Sequence, residues 1–471
     1  MKNFLLILII FSLPVLAQEN MITVIGDQLF GRVENGESVR EVQGNVVLTQ
    51  GNVRITCNRA IQYLARNNAH LIGNVIITQD TLTILTDEGY YFGNEKRAYS
   101  DRGVRLDDKK VILTAGTGEY LFTPQQANFI RNVKLTDTLS VLTSEKLTYF
   151  RHIDKAIAVQ GVNITDTSGN IISADSLINL RKEGITYAFF NVKVRNLKDN
   201  SLILGDHLED YREKNYSKVD VKPLFIQIDS VKDEPDTLEV TGKGDKRPDS
   251  LLRVDTLMIK SLMMESFRGD TANVFIAKDS VRILRGDFAS NNDLTTYYKD
   301  KETLITNRLS DSSGVPVIWS GNSQMTGDSI TIVLQDRRIN KVYVDRNAFL
   351  ISKSDINPAR YDQLTGKRVI MNFRDNALVK TEVFGNVLGI YYMYEDDEQN
   401  GLMKASSREA VINFEDKKVS QVNLYGDPNS EYHPENVVTG NEKSYTLPGF
   451  TIYNNRPVTE IFFPKKMKRL F

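Results

Sequence analysis

The feature that most constrains this chain is a repeat. A short aliphatic pair recurs as Val46/Leu48, Val75/Ile77, Val104/Leu106, Val133/Leu135, Val162/Ile164 and Val192/Val194. The first members lie 29, 29, 29, 29 and 30 residues apart. Just before them stand Gly44-Asn45, Gly73-Asn74, Gly103, Asn132, Gly161 and Asn191, all residues suited to a turn or bulge. Nine residues after the first five valines comes another aliphatic: Ile55, Ile84, Leu113, Leu142 and Ile171. A fixed period of this size marks stacked supersecondary units, none of which buries its apolar face alone.

The Val-x-Leu spacing has period two and is rich in β-branched residues, so each unit reads as strand rather than helix. Two to three strands of about five or six residues fit one unit. The position between the paired aliphatics is Val47 and Ile76 at first, then Arg105, Lys134, Asn163 and Lys193. One face therefore stays aliphatic while the other turns polar and cationic. A repetitive, open, two-sheeted all-β structure with one continuous lining satisfies both patterns. Cys57 falls where the next units carry Thr86, Ala115, Ser144 and Ser173, which assigns it as a small inward residue rather than a reactive thiol.

Composition closes off several classes. The chain of 471 residues carries 59 Lys+Arg against 60 Asp+Glu, a formal net charge of −1. That balance argues against a nucleic-acid binder. A single cysteine leaves no internal disulfide and no cysteine-rich metal site, and the four histidines fall at unrelated phases of the repeat. Neither a nucleophile elbow, a zincin helix, a phosphate-binding loop nor a dinucleotide fingerprint is present. The carboxylates sit in turn contexts: Asp336, Asp375 and Asp416 each follow a strand pattern and precede another, and read as hairpin residues. The expectation is a protein without enzymatic activity, cofactor or metal.

Outside the repeats the chain is organised by charge and hydropathy. Lys2 followed by the apolar run Phe4–Leu16 and by Ala17 reads as a secretory signal over 1–17, since a bilayer-spanning helix needs roughly 20 residues. Export of the mature chain follows. Residues 18–228 hold the first array of repeats, and 229–250, dense in charge, Gly and Pro, read as a linker or excursion. Residues 251–463 form a second, looser array whose charged turns recur every 39 and 41 residues. Within it Val383-Phe-Gly385-Asn386-Val387 repeats the pattern of Val42-Gln-Gly44-Asn45-Val46. Residues 464–471 form a basic tail.

The phased Val-x-Gly-Asn-Val motif behind a signal sequence resembles the OstA-like family of lipopolysaccharide-transport bridge proteins. The stretches that carry it are Val42–Leu48 with Ala60–Tyr63, Leu71–Val75 with Gly89–Tyr91, and Val383–Val387. The resemblance implies a β-jellyroll that holds lipid A acyl chains. It also implies a place in the periplasm, extending to association with the outer membrane, and edge-strand pairing with related modules of the bridge and with the outer-membrane translocon. The lining it assigns is Val46, Leu48, Ile55, Val75, Ile77, Ile84, Val104, Leu106, Leu113, Val133, Leu135, Leu142, Val162, Ile164 and Ile171. Arg105, Lys134 and Lys193 fall opposite that lining and are not assigned to it. Two readings compete: an exported, closed β-solenoid scaffold or adhesin, and a polysaccharide-cleaving enzyme on a parallel β-helix. The second needs a carboxylate cluster on one face, which the sequence does not supply.

Overall fold

The repeats fold as pairs of long antiparallel strands, split into four short ones in the third, and the glycine-asparagine positions bend them. Gly44 and Asn45 take φ of 74° and 46°, Gly73 and Asn74 take 79° and 48°, and Arg131 and Asn132 take 72° and 50°. Two consecutive left-handed residues insert a bulge, because L side chains there abandon the pleat. At Gly44 a Cβ would also meet the Asp27 carboxylate at 2.5 Å. Glycine at that corner is thus a steric as well as a conformational requirement.

The computed structural model describes residues 21–197, 200–232, 252–269, 273–310, 313–336, 338–374, 377–395, 398–415 and 418–463. The expected signal sequence, most of the 229–250 stretch and the basic tail lie outside them. The chain divides into two compact units, Met1–Thr186 and Tyr187–Phe471.

The first unit is an antiparallel meander. Its strands are β1 (Thr23–Ile25), β2 (Gln28–Glu34), β3 (Glu37–Gln50), β4 (Val53–Tyr63), β5 (Asn68–Gln79) and β6 (Leu82–Phe92). Four short strands follow, β7 (Arg97–Ser100), β8 (Val104–Asp107), β9 (Ile112–Ala115) and β10 (Thr117–Leu121). Then come β11 (Gln126–Thr136), β12 (Ser140–Phe150), β13 (Lys155–Asp166) and β14 (Asn170–Leu180). Strand β3 pairs with β4 in two registers, Val39–Gln43 against Arg59–Tyr63 and Val46–Gln50 against Val53–Cys57. The same shift recurs in β5/β6, β11/β12 and β13/β14. Every long strand therefore has two limbs joined at a corner. The strands run to 11 residues or more, longer than the short segments expected from the spacing, because the corner bends the chain without ending the ladder.

Burial follows the corners. In β4 the buried positions are 53, 55 and 57 before the bend, and 60 and 62 after it. The switch of parity keeps both limbs facing one interior, since a one-residue slip would turn the second limb outward. Packed aliphatics from the two limbs fill that interior, among them Leu48, Ile55, Leu71, Leu106 and Leu113.

The second unit repeats the device. Left-handed pairs at Asp279-Ser280, Arg346-Asn347 and Gly385-Asn386 coincide with register shifts in the strands 273–285, 338–353 and 377–395. The predicted charged hairpins are present: Gln335 pairs with Arg338, Arg374 with Ala377 and Glu415 with Lys418. Asp336 is the left-handed turn residue of the first, at φ 50°; Asp375 and Asp416 lie outside the described residues. Strand 224–232 pairs with 252–260. Interior side chains include Val281, Ile283, Ile332, Val344, Val383 and Val387.

Residues 434–463 form a strap on the outer face of the second unit. It covers one cross-strand row, Ile226, Met258, Leu284, Ala289, Trp319, Gln324, Ile351, Gln363 and Ile390, each paired with the next. Phe462 packs on Ile226 and Met258, Tyr453 on Trp319, and Leu447 and Val438 on Ile390. Gln363 donates to the Tyr445 carbonyl at 3.0 Å and accepts from the Leu447 amide at 2.8 Å. Gln324 does the same with Thr451 and Tyr453, both at 2.9 Å. Each glutamine so meets the strap backbone as a neighbouring strand would.

Candidate functional site: an aliphatic interior closed by a polar seam

The interior of the first unit is built from the phased pairs. Register places Leu48 opposite Ile55, Ile77 opposite Ile84, Leu106 opposite Leu113 and Leu135 opposite Leu142. Val46, Val75, Val104, Val133 and Val162 stand one step nearer the corner, and all are buried. The predicted lining is thus brought together on one face, with one exception. The hairpin between β13 and β14 has an extra residue, so Ile172, not Ile171, faces Ile164, and Ile171 pairs with Thr165 on the other face. The same slip replaces Ser173 by Ala174 as the counterpart of Cys57, because Ala174 pairs with Val162 as Cys57 pairs with Val46. Cys57 is buried, its thiol lies 3.2 Å from the Arg59 carbonyl, and burial pushes its pKa up to about 11. That holds it as an inert thiol. Arg105, Lys134 and Asn163 are exposed on the opposite face, as the alternation requires.

The lining packs on itself. The void bounded by Leu71, Val75, Ile84, Leu106 and Phe129 measures about 20 Å³, room for a single water. The side chains thus offer a continuous hydrocarbon surface, not a standing channel.

The side away from the corners carries a second pattern that the repeat search passed over. Gln50, Gln79, Asp108, Asp137 and Asp166 end the second limbs at intervals of 29 residues. Gln62, Tyr91, Tyr120, Tyr149 and Asn179 occupy the ends of the first limbs at the same period, with one step of 30. These two ladders meet across the opening at Tyr91–Gln50 and Tyr149–Asp108. The Tyr91 hydroxyl donates to Gln50 Oε1 at 2.5 Å, and Gln50 Nε2 donates to the Gly93 carbonyl at 3.0 Å. The Tyr149 hydroxyl lies 2.9 Å from Asp108 Oδ2 and 3.0 Å from Asp154 Oδ1. Arg181 pairs with Asp137 and, at 3.1 Å, with Asp154. Arg151 donates to the Thr81 hydroxyl at 2.8 Å. At the first end, Gln62 donates to the Ile22 carbonyl at 3.0 Å, and Asn67 accepts from the Ile22 amide at 3.0 Å.

The electrostatics agree with a closed, desolvated seam. Burial raises the Tyr91 hydroxyl to about 12. The Tyr149 hydroxyl is pushed up by burial first and by the Asp108 and Asp154 charges next. At Asp137 burial acts upward, yet the hydrogen bond from Arg181 and the Leu139 and Ser140 amides outweigh it and hold the carboxyl below its usual range. The period-29 recurrence of these polar residues was visible in the sequence. Their role was not, because a tyrosine in phase with the buried positions of a strand reads equally as core.

Among the described residues no cluster of three or more His, Cys, Asp and Glu is placed to hold a metal, and no helix is long and apolar enough to cross a membrane.

Residues 19–175 match the family model of OstA-like proteins. A crystal structure of LptH, the LptA-homologous periplasmic component of the lipopolysaccharide transport device of Pseudomonas aeruginosa, aligns with 31% of this chain and 95% of its own. The identity is 16% and the TM-score 0.17. Comparison with curated proteins finds no match. The match over residues 19–175 covers about a third of the chain and takes in the first phased Gly-Asn corners, which carry the resemblance.

Proposed function

We propose that this protein is an exported carrier that holds lipopolysaccharide by its acyl chains within the aliphatic interior of the first unit, as a component of a periplasmic bridge. The observation that carries the reading is the unbroken run of inward Val, Leu and Ile over five repeats of an OstA-like segment. An alkyl chain gains about 0.8 kcal/mol per buried methylene, so a dozen methylenes supply on the order of 10 kcal/mol before ordering costs. Non-directional contact of this kind gives no preferred stopping point along the lining, which suits passage more than storage.

In the same reading the arrays 18–228 and 251–463 are two modules of one carrier. The exposed strand β2, which pairs only with β3 among the described residues, is an edge for strand addition by a related module or the outer-membrane translocon. The packed interior favours a second reading, a closed scaffold without lipid. Photo-crosslinking residues placed at Val75 and Leu106 separate the two: the carrier traps lipopolysaccharide at both, and the scaffold at neither.

A further inference from the structure

The lining is packed and its open side is bridged, so an acyl chain reaches it only if the bridge parts. We propose that the polar seam of the first unit is a lateral gate, and that lipid enters between the hairpin ends of the two limbs. The proposal rests on the carrier reading above and adds the route of entry.

Three observations carry it. The bridging contacts join residues 41, 43, 41 and 44 positions apart, at Tyr91–Gln50, Gln50–Gly93, Tyr149–Asp108 and Arg181–Asp137. The second limbs that end near Gln50, Asp108 and Asp137 are thereby tied to the first limbs of the next repeats, while Gln79 between them donates to Asn52 instead and leaves Tyr120 untied. The corners on the far side are covalent and laddered, so the limbs are free to separate only at the seam. The chemistry differs from the lining: every contact is a hydrogen bond or ion pair among polar groups that are buried while the seam is shut and reach water once it parts. Such bonds exchange for water at a net cost of only about 1 kcal/mol each, whereas parting the packed aliphatics with nothing to fill the gap costs far more. A seam of this kind stays shut over an empty interior and opens when hydrocarbon replaces the lost apolar contacts.

The test locks the gate covalently. Thr81 and Arg151, which meet across it, are replaced as Thr81→Cys and Arg151→Cys in the full chain and bridged with a short bismaleimide. Cys57 is buried with its thiol held up at about 11 and does not compete. Uptake of lipopolysaccharide carrying a fluorescent acyl label is compared in the bridged protein, the same variant before bridging, and the unaltered chain. The gate predicts uptake slowed at least about tenfold by bridging alone. Equal uptake in bridged and unbridged protein overturns the gate and leaves the carrier reading standing. No uptake by the unaltered chain overturns the carrier reading, and the gate with it. Should the double variant fail to fold, Tyr91→Phe, which removes one donor from the seam, takes its place: uptake roughly threefold to tenfold faster supports the gate, and an unchanged rate overturns it.

Discussion

The two units share a corner and differ in what lies behind it. Three residues beyond the inward corner residue (valine throughout, except Ala348), on the outer face, the first unit carries Thr49, Thr78, Asp107, Thr136 and Thr165; the second carries Leu284, Ile351 and Ile390. The threonine row of the first unit needs no cover, since its hydroxyls border solvent. The aliphatic row of the second would be a cross-strand apolar stripe, and the strap 434–463 lies over it. Identical corners thus give one unit with a bare outer face and a seam on its opening, and another whose outer face is bound down by its own chain.

The strap is also latched by charge. Arg360 has no exposed surface, yet it pairs bidentately with Glu435 at 2.5 and 3.1 Å and faces Glu442 at 3.6 Å. Its guanidinium lies over the Tyr392 ring, 5.1 Å from the centroid. Glu435 matches both Nη groups of this buried arginine while its Nε has no partner, and the bidentate pair fixes the register of the strap on the sheet.

Removing the strap should have the largest effect. Ending the chain at residue 433 exposes the partners of Val438, Leu447 and Phe462, each worth about 1.5 to 3 kcal/mol when fully buried. The second unit should lose most of its stability while the first melts as before. Trp319 is the single tryptophan, 6% exposed and packed on Tyr453, so its emission should shift to the red. An unshifted emission would mean that the strap does not cover the row.

Exchanging row residues sharpens the comparison with a smaller effect. Ile351→Thr, which writes the first unit's residue into the second, should cost about 1 to 2 kcal/mol of thermal stability in that unit. The converse Thr136→Ile should change the first unit by less than about 0.5 kcal/mol, because no strap among the described residues covers that position. Equal costs at the two sites would erase the distinction.

Acid should produce the smallest effect. The Arg360 hydrogen bonds hold the Glu435 carboxyl at about 2, against an ordinary 4.5, with burial opposing them and Thr439 and the Gly401 amide assisting. A depressed carboxyl stabilises the folded state above its unfolded value, and that contribution is lost as pH falls. The strap should therefore loosen between about pH 4.5 and 2, read as a reversible red shift of Trp319 that Glu435→Gln abolishes. A flat emission across that window would contradict the latch.

Much of this was legible in the sequence. The 29-residue phase gave the strand pairs, the inward aliphatics, the corners and the outward cations, because steric and period-two rules act within a few residues. Ile171 was misplaced by one position because a single extra hairpin residue reverses facing, and spacing alone does not reveal where a loop lengthens. Tyr91, Tyr149, Asp108 and Asp137 were phased but mute: their partners lie 41 to 44 residues away, and only folding about the corner joins them. The strap was least legible. Gln324 and Gln363 meet backbone 127 and 82 residues distant, a contact that no local pattern encodes.

The central claim is that the inward row of the first unit, and not its outward row, meets hydrocarbon. Photo-crosslinking residues at Leu106 and at its neighbour Arg105 test it side by side, since the two point to opposite faces of one strand. Lipopolysaccharide trapped from position 106 and not from 105 is the predicted result. Trapping from 105 alone, from both equally, or from neither would contradict it.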